Sequence, residues 1–378
     1  MNTKSAARCC CAVLIATWLT GIASPPAAFA QTPVAADGSI LKGLKKISVL
    51  GSTVPANGDV NPYGMAQVRR TIGNLRAGHI LISNFNNSAN LQGTGTTIVD
   101  VAPDGNVSLF ATINAASLPG ACPGGIGLTT ALIILEQGWV IVGSLPTSDG
   151  TSATAQAGCL IVLDAWGNPV ETLYGSLING PWDMTAWEDE GRAKLFVTNV
   201  LNGTVAANGT VVNGGTVTRL DLVVPSHASP VLESITVIGS GLAERTDPNA
   251  LVIGPTGVGL ASNSSRLYVA DTLNNRVTFI DDALERTSSA GTGRTLSEGG
   301  TLNAPLGLTV TPGGEVLTVN GGDGNITEID SQGRQVAHAA LDSSGSPPGA
   351  GALFGLIFNA HGVYYVDDAT NTLNLLHH

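Results

Sequence analysis

The sequence is poor in charged residues, in aromatic residues and in cysteine. Only 12% of its 378 residues are charged and 4% are aromatic, whereas 48 are glycine. Three of the five cysteines, Cys9, Cys10 and Cys11, lie side by side, which leaves Cys122 and Cys159 for the rest of the chain. This composition suits strands and tight turns better than helices. Cations are also scarce, with 17 basic against 28 acidic residues. Because such a surface repels phosphate groups, we predict no nucleic-acid partner and no binding to anionic membranes.

The first 30 residues are typical of a secretory signal peptide. Lys4 and Arg8 precede an apolar core, and the stretch ends with the Ala-x-Ala pattern at Ala28 and Ala30. The apolar core is short for a bilayer span and runs into two prolines, which disfavours a membrane anchor. We predict cleavage after about Ala30, a secreted or periplasmic location and no membrane span. The mature chain would carry 15 basic and 28 acidic residues, a net charge of −13.

Beyond the signal peptide, an apolar run that stops at a polar turn recurs six times. The six copies are GHILISNFNN (78–87), WVIVGSLPTSDG (139–150), KLFVTNVLNG (194–203), RLYVADTLNN (266–275), EVLTVNGGDGN (315–325) and GVYYVDDATN (362–371). A shorter run precedes each copy and a third run follows it, and a fourth run closes five of the six units. The period is about fifty residues, which indicates a repeat architecture. The sixth unit has no fourth run, and KISVLGS (46–52) is the strand that would complete it.

Six four-stranded sheets arranged radially and closed by an N-terminal strand describe an all-β, six-bladed β-propeller. Each blade packs on a neighbour with both faces, so its strands should be continuous apolar runs rather than alternating ones. We predict an N-terminal extension at 31–45 and a propeller at 46–378. The predicted blades are 62–113, 126–175, 181–239, 255–297, 305–341, and 353–378 completed by 46–52.

One stretch carries a resemblance to a known repeat. RLYVADTLNNRVTFIDD (266–282), preceded by PTGVGLA (255–261), resembles the NHL repeat, with its proline and glycine entry, its Tyr-Val-Ala-Asp strand and its asparagine turn. The match is strongest over 252–282, good over 302–330 and degenerate in the other four units. The resemblance implies a six-bladed propeller that is distantly similar to the gluconolactonase-like propellers.

Asp271, at the end of the strand in this stretch, is interpreted as part of the scaffold. Its carboxylate should cap the turn or pair with Arg276. The repeat places equivalent residues at the same point in other units, namely Asn84, Asn199, Asn320 and Asp367. A residue that recurs in this way is more often turn chemistry than catalysis.

The gluconolactonase-like propellers hold a divalent metal in the central tunnel, on the face that carries the turns between second and third strands. The positions matched to their inner ligands are Gly64, Gly127, Asp183, Gly257, Gly307 and Gly355. One carboxylate is too few for a hard cation, so a tunnel metal is disfavoured unless loops contribute ligands. The four scattered histidines, His79, His227, His338 and His361, show no metal-like spacing.

Asp183 is therefore the most informative candidate, because Trp182 and Trp187 flank it. It would contact a ligand against an aromatic wall, or the two tryptophans would simply be buried packing. Tyr63 and Phe354 occupy the matching position in units one and six, and they are candidate ligand contacts at the same tunnel mouth. Asn84 completes the candidate set. We predict no catalytic residue and no metal ligand.

Three expanded loops, at 83–95, 146–159 and 201–215, are rich in asparagine, glycine, serine and threonine, and should stand over that same face. Cys122 and Cys159 should both lie at one face of blade two, where a disulfide would staple the loop between them. The alternative is two buried free thiols.

Two functions remain open at this point. The first is a scaffold without a cofactor that binds a protein, peptide or glycan through the loop face. The second is a metal-dependent hydrolase or lyase of the lactonase type, for which calcium is the candidate ion.

Overall fold

The computed structural model describes residues 38–378, so the predicted signal peptide lies outside the described residues. Within this range the chain forms 25 strands in six antiparallel sheets, and the only α-helix there is α1 (Thr204–Ala207). Single turns of 3-10 helix occur at Leu41–Gly43, Ala115–Ser117, Ser152–Thr154 and Thr272–Asn274. No helix between residues 38 and 378 is long and apolar enough to cross a bilayer.

Each sheet is one blade, and chain order runs outward from the tunnel. The first described strand, β1 (Lys46–Ser52), belongs to blade 6. Blade 1 comprises β2 (Val60–Gln67), β3 (Ile80–Asn86), β4 (Thr97–Val101) and β5 (Val107–Thr112). Blade 2 comprises β6 (Leu128–Ile134), β7 (Val140–Ser144), β8 (Cys159–Leu163) and β9 (Pro169–Leu173). Blade 3 comprises β10 (Pro181–Asp189), β11 (Arg192–Asn199), β12 (Val212–Val223), β13 (Val231–Asp247) and β14 (Leu251–Ile253).

The remaining three blades have four strands each. Blade 4 comprises β15 (Pro255–Leu260), β16 (Leu267–Asp271), β17 (Arg276–Ile280) and β18 (Arg294–Glu298). Blade 5 comprises β19 (Pro305–Val310), β20 (Val316–Asn320), β21 (Asn325–Ile329) and β22 (Gln335–Ala340). Blade 6 comprises β23 (Leu353–Asn359), β24 (Gly362–Asp367), β25 (Thr372–His377) and, outermost, β1.

The ring closes in the predicted way. The first strand of each blade contacts the first strands of both neighbouring blades, so β2, β6, β10, β15, β19 and β23 surround one central tunnel. β1 runs antiparallel to β25, from the pair Lys46 and His377 to the pair Ser52 and Thr372. The N-terminal strand therefore completes the sixth blade, and the predicted six-bladed propeller is confirmed.

Neighbouring blades share their hydrophobic cores, which explains the continuous apolar runs. In blade 1, Leu81 and Ile98 belong to the cluster shared with blade 2. Ile82 and Val99, one residue further along the same strands, belong to the cluster shared with blade 6. Because successive residues of a strand point to opposite faces, both faces of a blade must be apolar to bury both interfaces.

The segment before β1 is fixed to blade 5 by a buried carboxylate. Glu328 of β21 is fully buried and accepts hydrogen bonds from the Ser39 hydroxyl at 2.8 Å and from the backbone amides of Ile40 and Leu41, both at 2.9 Å. Ile40 and Leu41 are themselves buried in the cluster between blades 5 and 6, together with Leu44. The chain is therefore anchored on blade 5 before it enters blade 6.

Asp271 has the structural partners predicted for it. The guanidinium of Arg276 pairs with the fully buried Asp271 carboxylate at 2.6 Å, and the Asn274 amide donates to the same carboxylate, so the scaffold interpretation of Asp271 is correct.

Cys122 and Cys159 form a disulfide, which joins the start of β8 to the segment that precedes β6. Both cysteines contact the core between blades 1 and 2.

Candidate functional site

The inner strands all contain an irregularity at the same height in the tunnel. In blade 1, Pro62 pairs with Asn84 and the next paired residue is Met65, so Tyr63 and Gly64 leave the ladder. The inner strands of blades 3 to 6 show the same two-residue interruption. A bulge of this kind frees backbone groups from the sheet and turns them elsewhere.

Hydroxyl groups of the second strands form hydrogen bonds with several of the backbone groups that the bulges free. Ser83 Oγ accepts a hydrogen bond from the Gly64 amide at 2.9 Å, and Thr198 Oγ1 accepts one from the Asp183 amide at 3.1 Å. In blade 5 the Thr318 hydroxyl donates to the Gly307 carbonyl at 2.9 Å. These bonds hold the bulges in place.

The bulged residues bring neighbouring inner strands so close that most of these positions require glycine. An ideal Cβ on Gly307 would lie 1.8 Å from the carbonyl oxygen of Phe354, and one on Gly355 would lie 2.2 Å from that of Tyr63. Real non-bonded atoms do not approach this closely, so neighbouring inner strands pack backbone against backbone at this level, which we call the constriction. Asp183 is the exception, since it carries a side chain at a position where blades 1, 4, 5 and 6 have glycine.

Blade 2 departs from the predicted alignment. Its inner strand skips three residues instead of two, because Leu128 pairs with Ser144 and the next pair is Leu132 with Val142. The residue equivalent to the inner-strand glycines of the other blades is therefore Ala131. The predicted alignment of Gly127 with those glycines was wrong. The additional bulged residue brings Thr130 to this level of the tunnel.

A cavity of about 640 Å³ lies on one side of this constriction. Its walls are the second halves of the inner strands, and its mouth is formed by the turns that follow them, including Arg69, Ser262 and Pro312. These turns join first to second strands. The cavity therefore opens on the face opposite to the one predicted, which carries the turns between second and third strands.

The inner end of the cavity is polar. Asp183 lines it and is only 8% exposed, and its Oδ2 accepts a hydrogen bond from the Val258 amide at 3.0 Å. Burial raises the pKa of this carboxyl to about 7, although hydrogen bonds from the Val258 and Met184 amides act in the opposite direction. Thr130 lines the same cavity at 4% exposure, and its buried hydroxyl has no hydrogen-bond partner within the described part of the chain.

Above this polar end, the wall is a belt of apolar side chains. One residue from each blade contributes, directly after the bulge: Met65, Leu132, Met184, Val258, Leu308 and Leu356. Trp187 and Phe358 line the cavity nearer to its mouth. A polar end beneath an apolar belt is the arrangement that fixes the orientation of a bound small molecule.

Two charged residues accompany the mouth. Glu188 accepts hydrogen bonds from the Glu136 amide at 3.0 and 3.1 Å, and Arg69 lines the cavity beside it. Burial raises the pKa of Glu188, and the charge of Glu136 adds to this effect, whereas the Glu136 amide and the charge of Arg69 lower it. Thr130, Arg69 and Glu188 could not be predicted from the sequence, because nothing in their local sequence indicates the bulge or the direction in which the tunnel opens.

The other end of the tunnel is filled by aromatic side chains. The ring of Tyr63 stacks on Phe354 at 3.9 Å and on Phe85 at 4.5 Å between centroids, and Trp182 lies 6.4 Å from it. These four residues are at most 5% exposed. Burial raises the pKa of the Tyr63 hydroxyl well above its ordinary value, and the charge of Asp368 adds to this. We call Tyr63, Phe85, Trp182 and Phe354 the aromatic plug.

The expanded loops pack against one another over the plug. Ala155 in the loop of blade 2 is buried in the same cluster as the plug, and Leu201 and Val205 in the loop of blade 3 pack against that cluster. The loop of blade 1 meets that of blade 2, where Thr147 Oγ1 donates to the Gln92 carbonyl at 2.6 Å. The loop face thus buries apolar surface instead of presenting an open tunnel mouth.

The predicted ligand contacts are therefore separated. Asp183 lines the cavity, whereas Tyr63, Trp182 and Phe354 lie in the plug and are absent from the cavity wall. Asn84 is fully buried in blade 1, where its amide donates to the Thr53 carbonyl at 3.0 Å and to Thr97 Oγ1 at 3.3 Å. The structure brings Asp183 together with Trp187 and Thr130 instead.

The donor set at the polar end does not fit a calcium ion. Calcium takes six to eight oxygen ligands, commonly from several carboxylates. Asp183 is the single carboxylate there, and two backbone amides already occupy it. Elsewhere in residues 38–378, no three histidine, cysteine, aspartate or glutamate side chains lie together in a group that could hold a metal.

The raised pKa of Asp183 predicts a pH-dependent stability. An acid whose pKa is raised by folding from 3.8 to about 7 holds its proton more tightly in the folded state, so the free energy of unfolding falls as pH rises through that window. No charged neighbour contributes to the shift. We expect Asp183→Asn to gain up to about 4 kcal/mol relative to the wild type between pH 4 and pH 8. Urea unfolding of both proteins at several pH values measures this difference, and a pH-independent difference would contradict it.

Comparisons with known proteins agree with the architecture. No family model matches the sequence, and no curated protein matches it. Among solved structures, the chain is similar to a gluconolactonase from Xanthomonas campestris, with 15% identity over 92% of this chain and 93% of that chain and a TM-score of 0.56. It is similar to a streptogramin B lyase, with 11% identity over 89% and 98% and a TM-score of 0.51. It is also similar to regucalcin, a calcium-binding protein from Agrobacterium tumefaciens, with 12% identity over 86% and 93% and a TM-score of 0.53. At such identities the similarity shows the fold alone.

Proposed function

We propose that this protein binds a small organic molecule in the open half of its central tunnel. The other half is filled by the aromatic plug. The observation that carries the proposal is the 640 Å³ cavity with the buried Asp183 carboxylate at its inner end. Cavities of about 300 to 1,000 Å³ hold drug-sized ligands, and a few placed polar groups within apolar walls fix their orientation.

The walls supply affinity and the inner end supplies orientation. A ligand that fills the space within the apolar belt would remove apolar surface from water on both partners. This burial favours binding by about 25 cal/mol for each Å² of apolar surface. Asp183 would then receive the polar end of the ligand, because it is buried and lines the cavity.

A second candidate function is proton transfer in the same cavity, as in a hydrolase or lyase. The observation in its favour is the pKa of Asp183 at about 7, since a general acid or base works best with a pKa near the operating pH. Two of the structurally similar proteins are a gluconolactonase and a streptogramin B lyase. Because the donor set does not fit calcium, we route no step through a metal.

The prediction that the loop face of blades 1 to 3 binds a protein, peptide or glycan stays a prediction. So do the NHL character of the repeats and the secreted or periplasmic location, which rest on the stretch 255–282 and on the signal-like sequence before residue 31. A ligand-binding propeller outside the cytoplasm is consistent with all three.

Binding in the cavity can be tested with the neutral fluorescent probe N-phenyl-1-naphthylamine. We expect saturable binding of one probe to the wild type and a loss of at least about tenfold in affinity for Thr309→Trp, because residue 309 is half-buried in the cavity wall and an indole there would occupy the ligand volume. The matched control is Thr295→Trp, a change at an exposed residue of β18.

The three proteins are compared by fluorescence titration at equal concentration. Equal loss of probe binding in both tryptophan variants would indicate a general effect of the substitution. Equal binding in Thr309→Trp and the wild type would place the probe elsewhere and would overturn the proposal.

A further inference from the structure

Asp183 lacks the kind of partner that Asp271, Asp100 and Glu328 have. Asp271 is paired with Arg276 at 2.6 Å, and Asp100 lies 2.9 Å from the His79 ring nitrogen. Glu328 accepts three hydrogen bonds from the N-terminal segment. Within residues 38–378, no cationic side chain forms an ion pair with Asp183.

Asp183 is also the carboxylate that lies at the inner end of the cavity. A buried carboxylate loses its hydration without full compensation unless a cation or several donors face it. The two backbone amides compensate only in part, since burial still raises the pKa of Asp183. The side of the carboxyl that faces the cavity is therefore the place where an external cation would gain most.

A cationic donor is the partner that the Asp183 carboxylate lacks. A primary ammonium group carries three donors and a positive charge, so it can both pair with a carboxylate and donate hydrogen bonds to it. An alcohol has one donor, and a carboxylate ligand would be repelled by the charge of Asp183.

The rest of the cavity indicates an apolar body attached to this cation. The belt between the inner end and the mouth is formed by methionine, leucine and valine side chains, with Trp187 and Phe358 beyond it. Among the lining residues, Arg69 is the only cation, and it lies at the mouth beside Glu188. The predicted net charge of −13 for the mature chain favours the approach of a cation as well.

We infer that the ligand of the central cavity is an organic amine, held with its ammonium group at Asp183 and its apolar body in the belt. This inference rests on the proposed function, since it names the class of molecule for the same cavity.

Three matched compounds test the class of ligand: 2-phenylethylamine, 2-phenylethanol and phenylacetate, each measured by displacement of N-phenyl-1-naphthylamine at pH 8. We expect the amine to bind at least about tenfold more tightly than the alcohol, because a hydrogen bond to a charged partner contributes more than a neutral one. Phenylacetate should bind most weakly. This comparison uses only the wild type and needs no variant to fold.

The variant Asp183→Asn identifies the group responsible. We expect it to lose about tenfold in affinity for the amine and to keep its affinity for the alcohol within about threefold. The matched control is Glu244→Gln, since Glu244 is another fully buried carboxyl, with a pKa also raised to about 7 by burial, but it lies in β13 outside the cavity wall. Amine binding in Glu244→Gln should equal that of the wild type.

The possible failures are distinguishable. If the probe binds in the cavity and the alcohol or phenylacetate displaces it as well as the amine does, the amine inference is wrong and the proposed function stands. If Asp183→Asn and the wild type prefer the amine equally, the preference has another source and the inference is also wrong. If neither the probe nor any of the three compounds binds the wild type, both the inference and the proposed function are overturned.

Discussion

Replacing Gly307 with alanine is expected to destabilise the propeller more than any other single methyl group added to the tunnel. The new Cβ would lie 1.8 Å from the carbonyl oxygen of Phe354, which belongs to the inner strand of the next blade. Relief requires these two inner strands to separate, and the ring allows this only if other blades move too. We expect a loss of at least about 3 kcal/mol in the free energy of unfolding, measured by urea denaturation followed by circular dichroism.

A glycine in the loop between β22 and β23 provides the control. Gly351 has a φ of +79° and an ideal Cβ there would meet nothing within 4 Å, so Gly351→Ala should cost only the backbone strain of about 1 kcal/mol. If both alanine variants unfold at the same urea concentration, the inner strands can separate more easily than their close contacts indicate.

Replacing Glu328 with alanine is expected to release the anchored segment before β1. The substitution removes the acceptor of three buried hydrogen bonds, from Ser39, Ile40 and Leu41. The backbone amides of Ile40 and Leu41 each lose a buried acceptor, at about 1 to 3 kcal/mol for each amide, so we expect a total loss of roughly 2 to 6 kcal/mol by urea denaturation. Glu328→Gln keeps one acceptor oxygen and should lose less.

The control for this change is Glu298→Ala, at an exposed position of the outer strand of blade 4. We expect it to unfold within about 0.5 kcal/mol of the wild type. A Glu328→Ala protein as stable as Glu298→Ala would show that apolar packing of Ile40 and Leu41 is sufficient to hold the segment.

The architecture could be predicted because the same pattern of apolar runs recurs six times in the sequence. Six similar runs, each apolar on both faces, follow from blades that bury both faces. The closing strand 46–52 was found by elimination, since the sixth unit had three runs instead of four. Because the pattern recurs, a strand that is difficult to identify in one unit can be identified from its equivalents in the other units.

The site could be predicted only in part, because it depends on single residues that break the repeat. Asp183 was identified as the exception among inner glycines. The residue before it, Trp182, and the equivalent Tyr63 and Phe354 were expected at the same mouth, but the bulge places them in the plug on the other side of the constriction. In blade 2, one additional bulged residue shifts the alignment from Gly127 to Ala131, and a single sequence contains no signal for such a shift.

The pairing of β1 with β25 also has a consequence for the order in which the protein can be completed. The ribosome makes β1 before any other described strand, yet its partner β25 is the last of them to be made. Until then the outer edge of blade 6 does not exist, and Val49, 67% exposed even in the finished ring, has no sheet to join. Blades 1 to 5 can fold as they emerge, whereas the closing blade waits until β25 has been made, so synthesis that stops before β25 should yield an open ring rather than a smaller propeller.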